Sequence, residues 1–157
     1  MNAPEFRSTV VIPALKMTGL YSRAAEDLLV GTAIQESGLK DINQRGGGPA
    51  KGYFQMERAT HDDIWANYLA YHTFLAVCVR GLAEGNIGED SLEIYPRYAA
   101  AMARVLYRRA ADPLPDPGNP TYVADLAAYW KRFYNTTAGA GTEAEFVANW
   151  NALIDVA

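Results

Sequence analysis

The chain has 157 residues, half of them hydrophobic and a fifth charged, which suits one globular domain over 1–157 and excludes wholesale disorder. The formal charge of −4 offers no basic footprint for nucleic acid and no polybasic patch for an anionic membrane, so neither is an expected partner. Cys78 is the single cysteine, which rules out a disulfide framework and predicts a small buried apolar group.

In chain order, nearly every segment reads as helix. The first predicted helix, around Phe6 to Gly19, is bent or interrupted at Pro13. No run is long enough to insert in a membrane, and "MNAPEFRSTVVIPALKM" does not read as a secretory leader. The second helix runs from Ser22, an N-cap, to a stop near Gly38. Lys40 to Gln55 lacks helical pattern. A third helix is predicted from Thr60, with Asp63 closing a capping box, to about Ala83; its apolar content makes it the expected buried central helix. "DSLE" offers Asp90 and Glu93 as a further box before a helix to about Ala110, irregular near Pro96. "DPLPDPGNP" is a rigid surface connection. Thr121 to Tyr134 is helical again, and Thr142 caps the last helix. The fold class is therefore all-α, with one glycine-rich loop, and room for a small hairpin, between the second and third helices.

That loop, "GGGPAKGYFQME" from Gly46 to Glu57, does not suit phosphate. A P-loop places its lysine after the last glycine and a small hydroxyl next; here Lys51 precedes Gly52, and Tyr53 comes after it. Both phosphate-binding glycine motifs also need a preceding strand, whereas "AAEDLLVGTAIQES" is helical.

Just before the loop, Glu36 sits on a helix face with Ala33, Thr32, Leu29 and Ala25. A carboxyl among such neighbours has a raised pKa, the property of a general acid. A solvated glutamate near a helix end is the alternative.

Glu36-Ser37 at a helix end, Gly52-Tyr53-Phe54-Gln55, and Tyr134-Asn135 in "KRFYNTTAG" occur in one order. Together they resemble the Glu-Ser, Gly-Leu-Met-Gln-like and Tyr-Asn motifs of the lytic transglycosylase and goose-type lysozyme group. Tyr53 and Phe54 stand where the group has Leu and Met, and Thr136-Thr137 where it has a small residue and glycine. The resemblance spans about Leu28 to Ala138.

It implies a lysozyme-like fold and cleavage of the β-1,4 bond between N-acetylmuramic acid and N-acetylglucosamine of peptidoglycan, with the glycan strand as partner. Glu36 is then the catalytic acid, and Ser37, Gly52, Tyr53, Gln55, Tyr134 and Asn135 belong to the substrate-binding set. Gln55 would bond an N-acetyl group or orient the acid, and Tyr53 would stack on a sugar face. A transglycosylase needs one carboxylate and yields a 1,6-anhydro product. An inverting hydrolase needs a second, about 6.5–9.5 Å away, for which Glu57 and, more weakly, Asp41 are candidates; Glu57 is otherwise a first-turn helix charge. No cofactor or metal is called for. A non-catalytic virion or saccharide-binding protein of the same fold is the alternative. Synthesis in the cytoplasm without a signal peptide, with action on the wall after lysis or from a phage particle among virion proteins, is the expected setting.

His61 and His72, roughly 16 Å apart along the predicted third helix, cannot share a metal, and Cys78 points away from His72. Trp65, Trp130 and Trp150 are expected in the core rather than on sugar.

Overall fold

The structure, a computed structural model, describes residues 1–40, 48–135 and 139–156. It is mostly helical. Helix α1 runs through Ala3–Phe6, a π turn over Arg7–Val11, and Ile12–Met17. Pro13 accounts for the wide turn: its ring brings no N–H and crowds the Thr9 carbonyl. That carbonyl instead accepts a hydrogen bond from Arg97 Nε at 2.9 Å.

Helix α2, Arg23–Ser37, has the expected ends. Ser22 Oγ accepts from the Ala25 amide at 3.1 Å, and Gly38 stops it with a left-handed φ of 63°. A short antiparallel pair comes next, β1 Ala50–Lys51 and β2 Met56–Glu57, in register Ala50↔Glu57 and Lys51↔Met56. Then come α3 Arg58–Asn67, α4 Thr73–Gly81, α5 Ser91–Ile94 and α6 Pro96–Arg108. Helix α7, Tyr122–Trp130, runs on as a π turn over Lys131–Asn135, and α8 is Glu143–Leu153, capped by Thr142 Oγ1. Asp41, Gly46, Gly47, Thr136 and Thr137 lie outside the described residues.

The core forms around α2, where every residue from Ala24 to Ile34 is buried and α1, α6, α7 and α8 all pack. Burying Glu26 and Asp27 there requires partners, since an unpaired buried charge is costly. Arg7 Nη1 reaches both, at 2.5 and 2.7 Å, and Arg23 Nε reaches Asp27 at 2.8 Å. The Tyr21 and Tyr122 hydroxyls donate to Glu26 and Asp27 at 2.7 and 2.8 Å.

Several expectations for the middle of the chain are corrected. Helix α3 starts at Arg58 with Glu57 in the cap position, so Thr60 lies inside it; Asp63 pairs with Arg109 at 2.5 Å instead of closing a box. No single helix reaches Ala83. The backbone leaves the helical region at Tyr68, makes a 3-10 turn over Leu69–Tyr71, and restarts after His72. His72 stacks on Tyr68 with ring centroids 4.0 Å apart, so His61 and His72 do not share a helix. Tyr71, Phe74 and Val77 are exposed and Cys78 is half-buried; the buried central helix is α2. Asp90 makes no side-chain cap bond before α5. Pro96 sits at the first turn of α6, where its missing N–H costs nothing. No described helix is long and apolar enough to cross a membrane.

Gly52 fixes the turn of the hairpin. Its φ is 77°, and a Cβ added there would run into the Leu92 carbonyl oxygen. Gly52→Ala should cost about 2–3 kcal/mol in urea unfolding, since both strain and overlap oppose it. Gly48→Ala, which meets nothing within 4 Å, should stay within about 0.5 kcal/mol of wild type.

Candidate active site

Glu36 is the penultimate residue of α2, two residues beyond its continuously buried stretch. It lines an open cleft of about 470 Å³ together with Gln55, Met56 and Glu57 of the hairpin, Thr60 of α3, Leu106 of α6, and Tyr134, Asn135 and Gly139. The end of a helix held on all sides by apolar packing thus opens onto solvent at one carboxyl group. Burial raises the Glu36 pKa, and a hydrogen bond from Trp130 Nε1 to Oε1, 3.0 Å long, partly offsets the rise. Desolvation is the larger effect, so the neutral acid is favoured relative to a solvated glutamate.

Tyr134 stands opposite. Its hydroxyl donates to the Phe54 carbonyl at 2.6 Å, joining the π turn to the hairpin across the cleft. Burial pushes the phenol well above its ordinary pKa, and the nearby Glu36 carboxyl adds to this. The phenol stays neutral. Asn135 Oδ1 accepts from Lys131 Nζ at 2.7 Å, and the same ammonium donates to the carbonyls of Gly139 and Gly141 at 3.0 and 2.7 Å. Lys131 therefore pins the 139–141 segment to the cleft wall. Gln55 adopts a left-handed φ of 47°, uncommon for a residue with a side chain. Its Nε2 donates to the Gly52 carbonyl at 2.8 Å, which orients the amide.

Of the residues singled out from sequence, the fold brings Glu36, Glu57, Gln55, Tyr134 and Asn135 to one cleft. Three others are placed elsewhere. Ser37 is buried, with Oγ donating to the Ala33 carbonyl at 2.9 Å and accepting from the Leu39 amide at 3.3 Å. Gly52 shapes the turn against Leu92. Tyr53 packs on Phe6, ring centroids 5.1 Å apart, because the turn sends it toward α1 and not to the cleft. Glu57 is exposed. Asp41 lies outside the described residues.

Trp130 does more than the sequence pattern implies. It is fully buried, as expected of core, yet its one polar atom holds the candidate acid. Its ring packs on Phe146 at 5.4 Å, and a Cβ at Gly141 would lie 2.7 Å from Cη2. The sequence does carry a signal: a buried indole N–H needs an acceptor, and Trp130 precedes Tyr134 by four residues.

No protein-family model, curated protein or solved structure matches this chain.

The Glu36 environment makes stability depend on pH. A glutamate whose folded pKa lies above its unfolded value of about 4.3 adds stability that is complete below that value. The contribution is lost as pH rises through the folded pKa. Wild type should therefore lose stability over that window in pH-dependent denaturation, and Glu36→Gln should lack this slope. Trp130→Phe should raise the Glu36 pKa further, seen by NMR titration of its side-chain carboxyl carbon, at a stability cost of about 1–2 kcal/mol.

Proposed function

We propose that the protein cleaves the β-1,4 MurNAc–GlcNAc bond of peptidoglycan on a lysozyme-like scaffold, with Glu36 as the general acid. One observation carries this reading: a carboxyl group desolvated by the end of a buried helix faces an open cleft beside amide and phenol side chains. Such an acid retains its proton toward neutral pH, where it can protonate a leaving oxygen.

In the proposed reaction Glu36 donates its proton to the glycosidic oxygen as the C1–O bond breaks. The substrate's own acetamido group stabilises the positive charge at C1. The Glu36 carboxylate then takes the proton of the muramic C6 hydroxyl as that oxygen bonds to C1, giving a 1,6-anhydro end and restoring the acid. Trp130 holds Oε1 and so sets the acid's rotamer. Gln55, its amide donor committed to Gly52, presents Oε1 as an acceptor for an acetamido N–H. Asn135, its oxygen held by Lys131, presents its amide N–H groups as donors. A neutral cleft of this kind binds a glycan through shape and hydrogen bonds, in keeping with the chain's lack of basic charge. The location of Glu57 on the same cleft supports a second course, in which it activates water and the product carries a reducing end.

Digestion of purified peptidoglycan, read by mass, tests this. Wild type should release muropeptides, and Glu36→Gln should lower the rate by about 10²–10⁴. Anhydro ends with an active Glu57→Gln identify the one-carboxylate course; reducing ends with an inactive Glu57→Gln identify the second. The rate should fall as pH rises through the Glu36 pKa. Sedimentation with peptidoglycan without release would leave a saccharide-binding protein, and equal release by Glu36→Gln would remove Glu36 from the chemistry.

A further inference from the structure

A second cavity, of about 260 Å³, opens beside the carboxyl end of α6. Arg104, Tyr107 and Arg108 line it with Tyr129 of α7 and the start of the proline-rich connection. Arg104 is only 7% exposed, and its Nε has no hydrogen-bond partner among the described residues. No ion pair to Arg104 is present among those residues either. Arg108 lies one helical turn further on the same face and is exposed.

The neighbours do not neutralise this pair. Asp112 borders the cavity, but its Oδ2 is bonded to Arg132 at 3.0 Å. The Tyr129 hydroxyl donates to the Asp112 carbonyl at 2.9 Å, and that of Tyr107 shares a hydrogen bond with Thr32 at 2.8 Å. Burial raises the pKa of both phenols, so they bring no negative charge. Burial, and then Arg108, lower that of Arg104. A guanidinium buried with an unpaired donor and a like charge beside it is costly, and an anion that accepts from it removes both penalties.

We infer that this cavity binds a small oxyanion, a carboxylate or a phosphate, through the Arg104 guanidinium, with Arg108 at its mouth. The planar fork of arginine suits both groups. The volume falls below the roughly 300 Å³ at which pockets for drug-sized ligands begin, so the occupant is a single anionic group or a small acid. The site is separate from the cleft, since no described residue lines both; Tyr107 of this cavity contacts Tyr134 of the cleft, ring centroids 5.4 Å apart. It does not rest on the proposed glycosidase activity.

Calorimetric titration of the full chain with sodium phosphate and with sodium acetate, at constant ionic strength in sodium chloride, tests the inference. Wild type should bind at least one of them saturably, Arg104→Met at least tenfold more weakly, and Arg108→Gln a few-fold more weakly. Without anion, Arg104→Met should melt higher than wild type, and the anion that binds wild type should raise only the wild-type Tm appreciably. Phosphate without acetate assigns a phosphate site, and acetate without phosphate assigns a carboxylate site. Binding of neither, or equal binding by wild type and Arg104→Met, overturns the inference. Should Arg104→Met not fold, the Arg104 Nε–H resonance of wild type decides: it must shift on titration with the anion, and an unmoved signal overturns the proposal.

Discussion

Burial of α2 on all sides is the constraint on which the rest of the molecule depends. A helix surrounded by α1, α6, α7 and α8 has no solvated face, so its charged residues need partners or must lie at its ends. Near the start, Glu26 and Asp27 are enclosed by two arginines and two phenolic hydroxyls. At the finish, Glu36 has Trp130 and an open cleft. One carboxyl group is thereby placed between hydrocarbon and water, where a proton is held more firmly than in solvent.

The cleft walls come from distant parts of the chain, and hydrogen bonds join them. Tyr134 ties the π turn to Phe54, eighty residues away in sequence, and Lys131 gathers Asn135, Gly139 and Gly141 around one ammonium. The π turn itself matters. An i→i+5 turn takes up one residue more than an α turn and so rotates the residues after it by about 100°. Tyr134 and Asn135 lie within this turn and line the cleft, so their side chains follow its wider winding and not continued α-helical phase.

Legibility in the sequence tracks the range of the interactions. Helix ends governed by one nearby side chain or glycine, such as Ser22, Gly38 and Thr142, are readable because the cause lies within a turn or so. The segment from Thr60 to Ala83 is not. Its composition is largely apolar, but the chain turns at Tyr68 to His72 and leaves Tyr71 and Phe74 exposed, which apolar content alone does not encode. Tyr53 escapes a local reading for a similar reason: the turn around Gly52 sets its direction, and Leu92 sets the turn. Trp130 is legible as core, yet its bond to Glu36 spans ninety-four positions, which no local pattern encodes. Motif order nevertheless groups Glu36, Gln55, Tyr134 and Asn135, and the fold brings them into one cleft.

The bond between Arg97 and the Thr9 carbonyl bears on the order in which the chain acquires its shape. Pro13 deprives that oxygen of its i+4 donor, and Arg97, which donates to it, lies eighty-eight residues downstream. Contacts of such separation form late, because loop closure must come first. During synthesis the Thr9 carbonyl therefore waits for this donor until Arg97 has followed it out of the ribosome.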